Sequence, residues 1–465
     1  MERLINIGKI KIKNSSDVKF SRLGLGFEKL DRGAFDPEKA YDKVADLGVK
    51  WIRIQSGWQR TEKEKGVYDF TWLDDIVDNL LKRGLKPWLC LAYGNGLYTE
   101  EAKKYYGAAG CPPLYTDEEK LGWSNYVTAI TTHYKGRIEL YEVWNEPDGI
   151  WAWKYGVNAE EYGKFALDTA KAIKAGDPNS KVVAGVTSGD DLAYMDNMFK
   201  TGIGEYMDYF SYHIYTWNEY DIFKRVNALR AVCNHYNPSI KLIQGESGAP
   251  SRSDGRGALR SGAWTPKKQA KLCARHLMVD LMTEAVFTSY FTTVDMAEAL
   301  RGTIDDKSSH MDFGYFGILS ADFNENGISV GEYTPKPSYT TLQTVSSVFS
   351  EEFEVCTLPI NIKHEYSERI FGEEVKSNII SCGFKRENGT SAFAYWYSSD
   401  LMTTDFESTV TLQVLPFGQE IRIIDIMDGN IYKIPDEMIE KNDDALTLKN
   451  IPIKDTPLLL TFGEF

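Results

Sequence analysis

Two glutamates have the surroundings expected of catalytic carboxylates. Glu146 stands in the run YEVWNEP at 141–147, and Glu246 stands in the run QGESG at 244–248. Each closes a short segment rich in β-forming residues, which predicts a position at the end of a strand. Two carboxyl groups that converge in space can divide acid–base and nucleophilic work, provided that one stays protonated while the other stays ionised.

This division of work suits glycoside hydrolysis, in which one carboxyl protonates the leaving oxygen and the other attacks the anomeric carbon. Arg53, near the end of a second β-rich run, could keep one carboxylate ionised, and Tyr215 could donate its hydroxyl to the same group. His213 is either a core histidine or a ligand for a substrate hydroxyl. Glu142 shares side-chain parity with Glu146, and we expect it to be a buried partner of Arg53 rather than a catalytic residue.

The segments that must position these residues alternate between short β-rich runs and longer helical patterns, which is typical of βα units on a parallel sheet. One helix pattern begins at Thr71, repeats apolar residues at helical spacing and ends at Gly84. Eight such units predict a closed (β/α)8 TIM barrel, an α/β fold, with its active site at the carboxyl ends of the strands. The predicted strands are 23–27, 49–54, 87–91, 138–144, 182–186, 209–214, 242–245 and 287–293.

The pattern changes at the C-terminal end of the chain. Short alternating segments separated by turn signals predict strands at 391–397, 409–414, 420–426 and 458–462. We therefore expect an N-terminal strand within 1–19 that packs on the β-domain, a catalytic barrel over 20–349 and an all-β sandwich domain over 350–465. The absence of a low-complexity linker predicts that these parts are packed together.

Composition narrows the class of protein. The 465 residues are 43% hydrophobic and 26% charged, with a net charge of −14, which is typical of a globular enzyme and argues against a nucleic-acid or anionic-membrane partner. The six cysteines have neither zinc-site nor C-x-x-C spacing, so we expect reduced packing residues. The N-terminal segment lacks the basic head and apolar run of a secretion signal, and a cytoplasmic location is expected.

A specific resemblance rests on several motifs. The run WNEP at 144–147 resembles the acid/base motif of the glycoside hydrolase clan A superfamily, and Glu246 matches the position of that clan's nucleophile. Trp58, followed by GVYDF at 66–70, is similar to the corresponding loop of clan A families. The segments 160–185 and 335–339 and the trailing β-domain resemble family 39 in particular. The resemblance to the clan covers about residues 20–350.

The resemblance implies that Glu146 is the general acid/base, Glu246 the nucleophile and Asn145 the partner of the sugar 2-hydroxyl, with retention of anomeric configuration. The chain departs from the clan at strand eight, where many members place a tryptophan under the sugar and this sequence reads FTTVD at 291–295. We expect loop tryptophans to replace that platform, since aromatic faces stack on sugar CH groups. The candidates, one of which would supply this sugar contact, are Trp151, Trp153, Trp217 and Trp264.

The sequence therefore predicts a retaining glycoside hydrolase that acts on oligosaccharides or glycosides, with an exo-acting β-glycosidase of the β-xylosidase type as the first choice. The alternatives are an endo-acting clan A glycanase and a catalytically silent barrel that binds carbohydrate. No cofactor or metal is expected, because two carboxylates suffice and the cluster Asp305, Asp306, His310 and Asp312 is interpreted as a solvated loop. The sequence leaves open whether the chain forms a homo-oligomer.

Overall fold

Eight parallel strands close into a barrel, as the alternating pattern predicts. The computed structural model describes residues 1–299, 302–363, 378–415, 420–442 and 445–465, and the backbone of 369–370 and 373–374. The barrel strands are Leu23–Gly26, Trp51–Gln55, Lys86–Leu91, Leu140–Val143, Lys181–Thr187, Tyr209–His213, Lys241–Ser247 and Thr288–Tyr290. Strand one pairs with both strand two and strand eight, which completes the ring.

Helices pack around the barrel with their apolar faces inward. Thr71–Lys82 shows why they form, because its residues at helical spacing, Leu73, Ile76, Val77 and Leu80, are buried. The chain turns at Gly84, whose φ of 74° favours glycine. The described α-helices are Tyr41–Ala45, Trp58–Thr61, Thr71–Lys82, Asp117–His133, Ala159–Gly176, Leu192–Phe199, Tyr220–Tyr236, Pro266–Met282 and Pro337–Val348.

Short elements fill the connections. The 3-10 helices are Leu30–Arg32, Pro37–Lys39, Glu101–Lys104, Tyr106–Ala108, Ile203–Glu205, Lys307–His310 and Asp436–Met438. After strand eight, Met296–Ala297 pairs with Phe313–Gly314, and Leu319–Phe323 pairs with Ser329–Pro335. These hairpins lie where the chain leaves the barrel mouth.

The barrel interior is apolar at the amino ends of the strands and polar toward their carboxyl ends. At the amino ends of the strands, a buried apolar cluster of Trp88, Leu140, Val183, Ile243 and Phe287 closes the floor. Because side chains alternate along a strand, the next inward positions carry polar groups, including Arg53 two residues after Trp51 and Glu142 two residues after Leu140. The polar layer supports the open end of the barrel, where active sites of this fold lie.

In the C-terminal region two antiparallel sheets pack face to face, and Arg369–Ile370 pairs with Glu373–Glu374 as a separate two-stranded sheet. The larger sheet has the order Ile5–Lys9, Asn430–Lys433, Ile421–Asp425, Leu458–Phe462, Ser391–Tyr397, Ile379–Lys385 and Glu354–Cys356. The smaller has the order Ile360–Lys363, Glu407–Val414, Ala445–Lys454 and Ile439–Asn442. Phe393 and Leu460 of the larger sheet and Leu412 and Leu448 of the smaller belong to one buried cluster, which makes the pair a sandwich.

Buried hydrogen bonds and an ion pair connect the sandwich to the barrel. Lys271, on the helix that follows strand seven, donates to Asp455 Oδ2 at 2.6 Å, and both side chains are 1% exposed. Arg275 on the same helix donates to the backbone oxygen of Asp455 at 2.7 Å. Trp396 of the sandwich donates its indole N–H to Glu219, in the loop after strand six, at 3.0 Å. None of the described helices has the length and apolar character needed to cross a lipid bilayer.

Candidate active site

Glu146 and Glu246 meet at the open end of the barrel. One carboxylate oxygen of each, together with a ring nitrogen of His213, lies within 4.8 Å of the others. The two side chains are 12% and 13% exposed, so both reach a partly enclosed space. Retaining glycosidases hold their carboxyl groups about 5 to 5.5 Å apart, whereas inverting enzymes leave room for a water between them. The spacing here therefore suits a double displacement.

Local backbone geometry brings Glu146 to this position. Strand four ends at Val143, and both Trp144 and Glu146 have positive φ values, 68° and 46°. Such values are uncommon for residues other than glycine and cluster at functional sites. The ring of Trp144 is thereby buried and its indole N–H donates to the backbone oxygen of Ala152 at 2.7 Å. This anchor fixes the start of the loop that carries Glu146.

Glu246 is held by two donors. Arg53 Nη1 donates to its Oε2 at 2.9 Å, and the Tyr215 hydroxyl donates to its Oε1 at 2.6 Å. The strand order suggested that Arg53 and Tyr215 could share one carboxylate, and in the structure both contact Glu246. Both donors place positive charge or a positive hydrogen against the oxygens of this carboxyl group. Glu246 therefore has the environment of a nucleophile.

A close backbone approach lies beside Glu246. A Cβ added at Gly245 would come within 2.1 Å of Ser211 Oγ on strand six. Strand seven also changes register between Gln244 and Ser247 in its pairing with strand eight. The absence of a side chain at Gly245 thus lets strand seven pass close to Ser211. The change of register beside it turns Glu246 toward the cavity.

Glu146 has surroundings that favour the protonated form of its carboxyl group. Burial raises the pKa of its carboxyl above the usual value, while the indole N–H of Trp151 and the charge of Arg53 oppose that rise. His213 Nδ1 lies 3.0 Å from its Oε1. Because burial also lowers the pKa of His213, this imidazole is favoured in its neutral form. Glu146 therefore has the environment of a general acid.

Arg53 links the pair to the polar layer below. Its Nε donates to Glu142 Oε1 at 2.9 Å, which confirms the prediction that Glu142 is a buried partner of this arginine. Its Nη2 donates to Asn145 Oδ1 at 2.8 Å, so the amide nitrogen of Asn145 is the end of that side chain able to donate to a ligand. Glu28 lies 3.5 Å from Nη1, and burial raises its pKa to about 7.

A cavity of about 600 Å³ contains the two glutamates. Its other lining residues are Glu28, Lys29, Arg32, Gln55, Tyr93, Tyr106, Ala109, Asn145, Trp151, Ala152, Phe291, Glu298 and Ala299. Sequence reasoning missed Glu28, Lys29 and Glu298. Glu28 had a usable signal, because it directly follows the first predicted strand. Glu298 lies in a long loop after strand eight, where no pattern distinguished it.

The tryptophans are divided between packing and surface positions. Trp153 is fully buried, packs against Trp144 and donates to Glu161 at 3.0 Å. The prediction that Trp153 contacts a sugar is therefore corrected, since its ring is enclosed by the barrel wall. Trp217 and Trp264 stack with centroids 4.8 Å apart and do not line the cavity. Trp217 is 45% exposed, so its substrate contact remains a prediction.

Phe291 occupies the cavity wall at the end of strand eight. The position at which the chain departs from the clan pattern is thus filled by a smaller aromatic ring. The Lys29 ammonium lies 5.6 Å from the centroid of that ring and 3.3 Å from Glu298 Oε2.

Side chains close enough to hold a metal ion, among the described residues, are Glu146, His213 and Glu246 themselves. Arg53 already provides positive charge at Glu246, which disfavours a further cation there. The acidic loop considered as a metal site has local partners instead. Asp306 accepts from the backbone of Ser308 at 3.0 Å, Asp312 accepts from the backbone of Ala299 at 2.8 Å, and the His310 ring stacks on Tyr106.

Similarity to curated proteins covers parts of the chain. A β-xylosidase of Geobacillus stearothermophilus is 29% identical over 126 residues, which are 25% of this chain and 24% of that protein. A β-xylosidase of Caldicellulosiruptor saccharolyticus is 25% identical over 356 residues, which are 69% of this chain and 66% of that protein. The chain thus spans about a quarter of the length of the first relative and 66% of the second.

Solved structures share the fold. A family 39 glycoside hydrolase from the gut symbiont Bacteroides cellulosilyticus WH2 superposes with a TM-score of 0.66 at 17% identity, covering 95% of this chain and 81% of that one. A monomeric β-xylosidase from Caulobacter crescentus CB15 gives 0.61 at 16% identity, covering 99% and 98%. The sequence profile described as Glycosyl hydrolases family 39 matches residues 38–352. The chain belongs to glycosyl hydrolase family 39.

Proposed function

We propose that the protein is a retaining, exo-acting β-glycosidase of the β-xylosidase type, with Glu246 as nucleophile and Glu146 as general acid/base. The observation that carries this proposal is the pair of carboxylate oxygens within 4.8 Å of each other in unlike environments. Arg53 and Tyr215 donate hydrogen bonds to Glu246, whereas burial raises the pKa of Glu146. Two carboxyl groups with this split are what a double displacement requires.

In the first step the Glu246 carboxylate attacks the anomeric carbon, the glycosidic C–O bond breaks, and the Glu146 proton moves to the leaving oxygen. Asn145, oriented by Arg53, donates to the sugar 2-hydroxyl. In the second step Glu146, now ionised, takes a proton from a water whose oxygen attacks the same carbon. The ester to Glu246 breaks, and two inversions give net retention.

The proposed xylose specificity and the proposed exo action rest on observations other than the two glutamates. Both curated relatives described above are β-xylosidases, which favours a β-xylosyl group as the retained sugar. The two glutamates lie in a partly enclosed cavity, which supports recognition of a chain end over the middle of a polymer. The proposed substrates are short β-linked oligosaccharides and glycosides. A cytoplasmic location remains a prediction of the sequence.

Activated aryl β-xylosides test the two roles separately, because a good leaving group departs with little help from an acid. The variant Glu146→Ala should still form the glycosyl-enzyme from such a substrate but turn over slowly, and azide should restore turnover with β-xylosyl azide as product. The variant Glu246→Ala should lose hydrolysis of every substrate. Glu205→Ala, at an exposed site, is the matched control.

Undiminished hydrolysis by Glu246→Ala would overturn its assigned role. Release of a product with inverted configuration, followed by NMR, would overturn the double displacement. Cleavage of long xylan into oligomers without free xylose would replace the exo assignment by an endo-acting glycanase. Binding of xylo-oligosaccharides without cleavage of any glycoside in a panel of β-xylosides, β-glucosides and β-galactosides would support the silent carbohydrate-binding barrel.

A further inference from the structure

Trp151 occupies a special place beside the catalytic pair. It lines the cavity and donates its indole N–H to Glu146 Oε2. The residue is 37% exposed, whereas Trp153 two residues later is fully buried. The ring approaches Gly149 closely, since an added Cβ there would come within 2.3 Å of ring carbons. The loop thus holds an exposed aromatic face next to the proposed acid.

The two oxygens of Glu146 face different surroundings. Oε1 faces His213, whose side chain is fully buried, and Oε2 faces the partly exposed Trp151. An oxygen that protonates the leaving group must be one that a substrate can reach, and Oε2 lies on the more exposed side of Glu146. The glycosidic oxygen must therefore approach Oε2 on the side where the Trp151 ring lies.

We propose that Trp151 is the binding platform for the leaving group, with the first sugar or aryl ring of that group stacked on the indole. This inference rests on the proposed function and deepens it. The retained sugar must place its anomeric carbon against Glu246, so the leaving group extends from Glu146 Oε2 toward the exposed end of the cavity. An aromatic face at that point offers an apolar surface to a sugar's CH groups. Trp151 is then a determinant of leaving-group preference.

Two substrates with the same retained sugar separate this role from catalysis. β-Xylosyl fluoride has no leaving-group ring and its fluoride departs without protonation, whereas xylobiose carries a second sugar and needs the acid. Trp151→Ala should lower kcat/KM for xylobiose about tenfold or more while changing kcat/KM for the fluoride less than about twofold. Trp151→Phe, which keeps a ring but lacks the N–H, should lose less than the alanine variant on xylobiose.

Tyr220→Ala is the matched control, because Tyr220 is an exposed aromatic residue that does not line the cavity. It should leave the ratio of the two kcat/KM values unchanged. An unchanged ratio in Trp151→Ala would overturn the platform. Equal losses in the phenylalanine and alanine variants would assign the effect to the N–H contact and would also overturn it. Wild-type protein that cleaves neither substrate would contradict the proposed function, a result distinct from these two.

Discussion

The two central glutamates show how neighbours decide the role of a residue. Both are partly buried at the barrel mouth, but Glu246 contacts a guanidinium and a phenol hydroxyl, whereas Glu146 contacts a buried imidazole and an indole. The first set places hydrogen-bond donors and a positive charge on Glu246, whereas burial raises the pKa of Glu146 despite the opposing indole N–H. The following two predictions test this asymmetry at the scale of single residues.

Tyr215→Phe should lower kcat/KM for aryl β-xylosides by about 10- to 100-fold, because Glu246 loses a hydrogen bond to its charged form, worth about 1.5 to 3 kcal/mol. The measurement is steady-state kinetics on purified variants. Tyr220→Phe is the control, since Tyr220 is 62% exposed and should remain within about twofold of wild type. Wild-type activity in Tyr215→Phe would show that its hydroxyl does not support the nucleophile.

The pH dependence should depend on the leaving group. Because burial raises the pKa of Glu146, this residue stays protonated above the usual glutamate range and loses its proton as pH rises through the raised value. The kcat/KM for xylobiose should therefore fall on the alkaline side with that ionisation. The kcat/KM for β-xylosyl fluoride should lack the same fall, because fluoride needs no acid. An identical alkaline fall for both substrates would contradict the assignment of Glu146.

At the scale of elements, the helix Asp117–His133 supports the catalytic strand from outside. Trp123 on this helix packs against Trp144, the residue that precedes Asn145 and Glu146. The helix begins with a capping box in which Thr116 accepts from the backbone of Glu119 at 3.1 Å. The stability of its first turn thus depends on a residue outside the active site.

Thr116→Ala should lower the free energy of unfolding by about 1 kcal/mol, the usual cost of losing an N-cap side chain. Denaturant titration measures this change, and kcat should stay close to wild type because the site is untouched. Thr132→Ala, at an exposed position near the other end of the helix, should change stability by less than about 0.5 kcal/mol. Equal effects of the two substitutions would contradict the capping argument.

The sequence predicts regular elements better than loops, for a physical reason. Hydrophobic periodicity marked all eight barrel strands and the sandwich strands Ser391–Tyr397 and Leu458–Phe462 because each buries a defined face. Strand eight is predicted as 287–293 but extends over Thr288–Tyr290, since Phe291 lines the cavity and the chain then continues into the paired strands that follow.

The sequence predicts the positions of loop side chains less well than those of strand residues. Trp151 and Trp153 stand in the same short loop with similar neighbours, yet one lines the cavity and the other packs in the wall. Their difference is set by contacts with Gly149 and Glu161 that depend on the folded path of the loop. Glu298 likewise reaches the site only through long-range packing. The pair Glu146 and Glu246 was predictable because strand ends in a closed barrel converge regardless of loop path.

At the scale of the whole molecule, buried ionic contacts join the barrel to the sandwich. Asp455 accepts from both Lys271 and the backbone of Phe406, and Lys271 also donates to the backbone oxygen of Thr404. A buried cation that loses its partner is strongly destabilising, whereas exposed pairs contribute little. The junction should therefore make the two parts unfold as one unit.

Asp455→Ala should lower the free energy of unfolding by about 3 to 5 kcal/mol, because Lys271 would be left buried without its carboxylate. Calorimetry of the wild type should show one transition, and the variant should unfold at a lower temperature. Lys267→Ala, which breaks an exposed pair with Asp405, should cost less than about 1 kcal/mol. A variant of Asp455 as stable as wild type would show that the junction is not a determinant of stability.

The proposed mechanism requires that Glu246 form the covalent bond to the sugar. A 2-deoxy-2-fluoro-β-xyloside with a dinitrophenol leaving group should accumulate the glycosyl-enzyme, because the fluorine slows both its formation and its hydrolysis whereas the activated leaving group speeds only its formation. Proteolysis and mass spectrometry of the inactivated protein should place one 2-fluoroxylosyl group on Glu246. A label on Glu28, Glu142 or Glu146 instead, or inactivation of Glu246→Ala at the wild-type rate, would contradict the account.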